Sequence, residues 1–222
     1  MRILGISSAT KIISIGLIDG DKVLVETTLN DLHSEKIVFY MQEAGIKPKD
    51  IGAVAVAVGP GSYSGLRGGL AIAKTLAQVN KIPLVGVSTL EAIAYNLIDI
   101  QGTMAVLLDS KGDEYNFALF GAHNGQLNRL TEDMVLNIDH LAKKLSKVTG
   151  ELYLVGNIKV ARSELRAAGG NLHFADEVHS HPYGINVAKL GMIKLKAGYK
   201  DDPLQLTPKY SHKANAREFK KK

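Results

Sequence analysis

The sequence predicts an α/β chain built from two halves of one plan, each ordered βββαβαβα. Three observations predict it. Strand-length runs, apolar or alternating, come three at a time near residue 2 and again near residue 103. Each triplet is followed by helix-length segments that alternate with short apolar strands. With 45% apolar residues among 222, the chain can bury one large core or two smaller ones.

The first half opens with "RILGIS", "IISIGLID" and "KVLVETTL", and Asp19-Gly20-Asp21 joins the second and third as a hairpin. A helix follows from Ser34 to Ala44, with Glu35 in its first turn and Gly45 as its stop. The buried strand "GAVAVAV" leads into a Gly59-Pro60-Gly61 loop and a helix from Gly65 to Val79. The strand "PLVGV" and the capping box Ser88-Thr89-Leu90-Glu91 open the last helix of this half. From Thr103, "TMAVLLD", "EYNFALF" and "QLNRLTEDMV" read as three strands, with a helix over 139–147, the strand "ELYLV" and a helix over 159–168. "NLHFA" and a helix over 184–197 complete the set. The lobes expected are 1–100 and 101–208, with 209–222 a flexible basic tail. A duplicated βββαβαβα plan resembles the actin, sugar-kinase and heat-shock-ATPase superfamily, which is ribonuclease H-like and two-lobed. That plan implies a nucleotide in the interlobe cleft and an acid in each opening hairpin for its magnesium.

Composition excludes several chemistries. Without cysteine there is no disulfide, no thiolate nucleophile and no sulfur-ligated metal, which fits the cytoplasm. The apolar runs fall short of the ~20 residues a membrane span needs, and the first residues lack the pattern of a signal peptide. The net charge is +5, yet residues 209–222 hold six Lys or Arg and one Glu, so the body is balanced. A tail of this kind can steer toward phosphates or simply be a solvated terminus.

The glycine loop fits no phosphate or nucleophile motif. Counting Gly59 as the first position, a Walker loop needs glycine at the sixth and lysine after it, where Ser64 and Gly65 stand, and Arg67 is the one nearby cation. A dinucleotide fingerprint would need glycine where Ser64 stands and an acid after "GVST". In Gly61-Ser62-Tyr63-Ser64-Gly65, tyrosine holds the place of an elbow nucleophile. The histidines lack an H-x-x-x-H pair, and His179 and His181 read as surface residues of a turn, so no metal is expected. The first opening turn, Ser7-Ser8-Ala9-Thr10, offers hydroxyls and no carboxylate, whereas the second keeps Asp109 and Asp113. Magnesium prefers carboxylates, so only half the cleft could serve it. This leaves weak binding of ATP or ADP, around Ser8, Thr10, Asp109 and Lys111, and no catalytic residue.

Two helices are apolar over most of their circumference. The helix over 65–79 has Arg67 and Lys74 as its charges and Gly65, Gly68, Gly69 and Ala71 as small residues in its first turns. Ile37, Val38, Phe39, Tyr40, Met41 and Ala44 nearly encircle the helix over 34–44. Such helices are buried on more than one face. Either one side covers a sheet and the other meets a partner, or both lie deep in a core.

"GPGSYSGLRGGLAIAKTLA" closely resembles the G-P-G-S-[FY]-[TS]-G-L-R motif of the TsaB family, also called YeaZ. "RILGISSATKIISIGLI", "LHSEKI", "VGVSTLEAIA" and "LLDSKGDEYNFALF" resemble further family segments in order. The resemblance is strong over residues 1 to about 120, and beyond that it rests on element order. It implies an accessory, non-catalytic subunit for making N6-threonylcarbamoyladenosine at position 37 of ANN-decoding tRNAs, with no required cofactor. The partners implied are a TsaD-type transferase, a TsaE-type ATPase and tRNA through the complex, with a homodimer when alone. It implies pairing through the first-half helices, hence a partner interface at His33, Glu35, Ile37, Tyr40, Met41, Gly65, Arg67, Gly69, Leu70 and Ala73. Three departures stand out: the family's opening Asp-Thr-Ser is Ser7-Ser8-Ala9, its D-A-R is Asp109-Ser110-Lys111, and the arginine of its closing P-x-Y-L-R has no equivalent after Tyr210. Two readings from other classes remain, a small-molecule phosphotransferase using Asp109 or Asp113 and, less supported by the residues, a glycoprotease-like peptidase.

Overall fold

The computed structural model describes residues 1–30, 33–157, 165 and 171–211. The first sheet is ordered β3-β2-β1-β4-β5, from β1 (Arg2–Ser7), β2 (Ile13–Asp19), β3 (Lys22–Leu29), β4 (Ala53–Gly59) and β5 (Leu84–Ser88). β1, β2 and β3 form an antiparallel meander, and β4 and β5 add in parallel beside β1. The β2–β3 turn is closed by Gly20 at φ +58°, a conformation that glycine adopts without steric cost. The "AVAVAVG" of β4 is buried on both faces, as an interior parallel strand must be.

The second sheet repeats this connectivity. β6 (Gly102–Asp109) and β7 (Glu114–His123) are antiparallel, and β10 (Leu152–Gly156) and β11 (Leu172–Phe174) add in parallel beside β6. The expected third strand is divided, however, into β8 (Gln126–Arg129) and β9 (Met134–Asn137), both paired with β7. The amides of Leu130 and Thr131 both reach the Leu119 carbonyl, at 2.9 and 3.3 Å. The Thr131 hydroxyl accepts from the Leu119 amide at 2.9 Å, so a side chain takes over from the ladder and the strand kinks.

The helices of the first half are a 3-10 turn at Ser34–Lys36 continued by α1 (Ile37–Glu43), then α2 (Tyr63–Asn80) and α3 (Thr89–Ala94). The Ser62 and Ser88 side chains cap α2 and α3, accepting from Gly65 N and Glu91 N. The second half has α4 (Ile138–Leu145) and α5 (Gly184–Lys196). The helix expected over 159–168 lies outside the described residues apart from Leu165, which is buried in the core formed with α4.

Each half's last helix covers the other half's sheet. Leu90, Ile93 and Ala94 of α3 pack among Met104, Val106 and Phe120 of the second sheet. Val187, Ala188 and Leu190 of α5 pack on Ile3, Ala53, Ala55 and Ala57 of the first. The division at residue 100 follows chain order, whereas α5 sits against the first sheet. Small residues permit it: a Cβ on Gly5 would overlap the Gly184 carbonyl and lie 2.6 Å from Ala188 N. Glu26 of β3 completes the docking, accepting from Ile185 N at 2.7 Å and Gly184 N at 3.2 Å where α5's own N-cap makes no side-chain bond. Burial pushes the Glu26 carboxyl above its ordinary value, and hydrogen bonds from Ser14 and these two amides offset part of that rise.

After α5 the chain forms a strap along the first sheet and across to the second. Asp201 bridges to Leu84 and accepts from Gly86 N at 2.7 Å, and Lys209 N donates to Val58 O at 2.7 Å. Ser211 Oγ donates to Asn116 Oδ1 on β7. The first three residues of the expected flexible tail, Lys209 to Ser211, are therefore tied to both lobes, and 212–222 lie outside the described residues.

Candidate functional site

A cleft of about 910 Å³ opens between the β1–β2 turn on one side and the ends of β6 and β10 on the other. Thr10, Lys11, Ser62, Asp109, Asn157 and His181 are among its polar lining. The two opening hairpins thus face each other across the cleft, as the duplicated plan requires.

Of the four cleft residues expected from sequence, Thr10 and Asp109 are here and two are elsewhere. Ser8 is 2% exposed, and its Oγ donates to the Gly65 carbonyl at 2.7 Å inside the first lobe. It is a bolt between the β1–β2 turn and the start of α2. Lys111 is exposed at the tip of the β6–β7 turn and does not line the cleft. Among the described residues, the cation that does is Lys11. It ends the "SATK" of the first opening turn, where the superfamily plan calls for a carboxylate.

Partial burial pushes the Asp109 carboxyl above its ordinary value, while the Lys11 ammonium and the Asn157 amide, which donates to Oδ2, hold it down. Replacing Lys11 with methionine removes the attractive charge and leaves the burial. The Asp109 pKa is therefore expected to rise in Lys11→Met, read from the pH titration of its carboxyl carbon by NMR; an unmoved titration would separate the two groups. Burial also pushes His181 down, toward the neutral imidazole. Among the described residues no three His, Asp or Glu side chains converge as a metal set.

The helices expected to meet a partner divide differently from the sequence reading. Ile37, Met41, Gly65, Gly69, Leu70 and Ala73 are buried within the chain, Tyr40 is partly buried, and His33, Glu35 and Arg67 are exposed. The small residues of α2 do admit a close approach, but the approaching atoms are the chain's own. A Cβ on Gly65 would overlap the Ser8 carbonyl, one on Gly68 the Ser34 hydroxyl, and one on Gly69 the Ser8 hydroxyl. What these helices turn outward is Val38 and Phe39 on α1, 45% and 54% exposed, and Tyr63, Arg67 and Val79 on α2. Phe39 is among the apolar residues that encircle the helix over 34–44 and Tyr63 is in the glycine motif, yet which face of an all-round apolar helix looks outward is set by packing, and no periodicity marks it.

A family model described as TsaD, tRNA N6-adenosine threonylcarbamoyltransferase, matches residues 29–190. The chain is 30% identical to the tRNA threonylcarbamoyladenosine biosynthesis protein TsaB of Bacillus subtilis, over 97% of this chain and 96% of that protein. It is 31% identical to the Escherichia coli protein of the same name, over 70% and 71%. Its fold is that of YeaZ from Pseudomonas aeruginosa, with a TM-score of 0.78, 18% identity and coverage of 94% and 99%. A ROK hexokinase from Thermus thermophilus shares the two-lobed architecture at a TM-score of 0.52 and 11% identity, covering 89% of this chain and all of that one. The fold is thus of the actin and sugar-kinase type, and the chain belongs to the TsaB (YeaZ) family.

Proposed function

We propose that this chain is an accessory subunit in forming N6-threonylcarbamoyladenosine on tRNA, and that it works by binding and activating a TsaD-type transferase. The observation that carries this reading is the similarity over nearly the whole length to the B. subtilis protein named for that biosynthesis. The outward Val38 and Phe39 support docking through α1 and α2, since exposed aromatic and aliphatic side chains on a helix face favour burial against a partner. A non-catalytic role is supported by the cleft, where Asp109 faces Lys11 and the first turn brings no carboxylate for a metal. The partner would hold the transferase in a competent state, a shift of a few kcal/mol at most. A TsaE-type ATPase, self-pairing in the absence of the transferase and a cytoplasmic location complete the proposal. No helix among the described residues is long and apolar enough to cross a membrane.

The test is reconstitution with a TsaD-type subunit, a TsaE-type ATPase, the threonylcarbamoyl-adenylate synthase, threonine, bicarbonate, Mg-ATP and unmodified tRNA. Modified adenosine is expected when this chain is added and not when it is left out, and the chain alone should form none. Equal product without it would sink the reading. A second reading rests on the size of the cleft and its Lys11–Asp109 pair: weak nucleotide binding, checked by titrating ATP and ADP into the free chain and into Lys11→Met.

A further inference from the structure

The outer face of α2 carries a cation that is held in place without being neutralised. The Arg67 guanidinium carbon lies 4.0 Å from the centre of the Tyr63 ring, one turn earlier on the same helix. Its Nε donates to Tyr210 Oη at 2.8 Å, and the two tyrosine rings stand 5.0 Å apart. Tyr210 comes from the strap, 143 residues along the chain, between Lys209, bonded to Val58, and Ser211, bonded to Asn116. Two rings and one hydrogen bond therefore fix a long side chain that an exposed helix would otherwise leave free to rotate.

The rest of the guanidinium points to an anion. Its side-chain partners are the two tyrosine hydroxyls, and no ion pair among the described residues neutralises it. The Nη1 and Nη2 edge of a guanidinium is the one that grips a carboxylate two at a time. The charges of α2 are Arg67 and Lys74, with no acid on the helix. The charges that α2 itself offers are of one sign, and the complement of Arg67 is acidic. Arg67 also shares α2 with the outward apolar residues on which the proposed docking rests.

We propose that Tyr63, Arg67 and Tyr210 form a preset receptor for a carboxylate side chain of the transferase subunit, which makes the C-terminal strap part of the partner face. The inference rests on the docking reading above. Because the strap is bonded to β4 and β7, both lobes must keep their relative position for Tyr210 to hold Arg67. Tyr210 is a positioning residue, and Arg67 makes the contact.

The experiment titrates a purified TsaD-type subunit into this chain and into Arg67→Ala, Arg67→Lys, Tyr210→Phe and the Arg67→Ala/Tyr210→Phe double variant. Thermal unfolding of each variant alone should match the wild type, since all three side chains are on the surface. Arg67→Ala is expected to weaken pairing roughly tenfold, and Arg67→Lys nearly as much, because an ammonium lacks the two-pronged geometry. Tyr210→Phe, which keeps the ring and removes the acceptor, is expected to cost roughly threefold in the wild type and nothing further in Arg67→Ala, the non-additivity that marks one unit. The wild-type affinity should fall with salt more steeply than that of Arg67→Ala.

Wild-type pairing matched by all the variants would overturn the receptor and leave the docking reading standing. Absence of wild-type pairing would overturn the docking reading and the receptor with it. Unchanged pairing with weaker retention of tRNA would assign Arg67 to phosphate, and a change confined to self-association would assign it to a second copy. Either result overturns the proposal.

Discussion

Gly5→Ala is expected to lower the free energy of unfolding by about 3 kcal/mol, at the upper end of what overpacking a core costs. Gly5 lies on β1 directly beneath the start of α5, and the added methyl would overlap the Gly184 carbonyl, approach Ala188 N to 2.6 Å and touch Ala188 Cβ at 3.0 Å. Two of these three neighbours are backbone atoms of a helix, so no rotamer change relieves the overlap. The helix must lift away. In lifting it would withdraw Gly184 and Ile185 from Glu26 and leave a carboxylate in a poorly solvated place with fewer donors. Urea unfolding followed by circular dichroism measures the change. Gly121→Ala is the control, because there the methyl would meet only Leu130 side-chain atoms at 3.7 Å or more, an ordinary contact. A Gly5→Ala variant as stable as that control would mean that α5 is not seated against β1 as described.

The same contact shows which parts of the molecule can be read from sequence. Strand and helix order came through because local patterns produce it: alternation in β1 to β3, the all-apolar run of β4, the Ser62 and Ser88 caps. The exchange of α3 and α5 between the halves did not, because a small or apolar face carries no mark of which sheet it will meet. The division of "QLNRLTEDMV" into β8 and β9 was equally hidden, since it depends on the Thr131 hydroxyl finding the Leu119 amide across the hairpin. In the cleft, Asp109 was legible from its place at the end of an opening strand. Ser8 and Lys111 were not resolved from their neighbours, because a shift of one residue in a turn exchanges a cleft position for a core one. Lys11 was overlooked because the superfamily plan asks for an acid in that turn.

Gly69→Arg is expected to unfold the first lobe, and so to abolish partner binding only as a consequence. The small residues of α2 invite the opposite expectation, that a bulky charge there would block a partner and spare the fold. In the structure Gly69 is buried, and a Cβ on it would overlap the Ser8 hydroxyl and lie 3.6 Å from Ile6 Cγ2. Ser8 cannot yield without giving up its bond to the Gly65 carbonyl, the link that seats the β1–β2 turn on the helix start. Beyond the overlap, an arginine at this site would need a path to water through the core formed by Ile6, Leu70 and Ala73. Burying an unpaired charge costs several kcal/mol even after relaxation, a large fraction of the stability of a domain this size. The expected result is insoluble protein, or loss of the cooperative unfolding transition at 25 °C. Phe39→Asp supplies the contrast: Phe39 is 54% exposed, so the variant should keep the wild-type unfolding transition while weakening the transferase complex at least tenfold. If Gly69→Arg folded normally and failed only to pair, the stripe would belong to the partner after all. The observed close packing of Ser8 and Ser34 against α2 would then be the part to abandon.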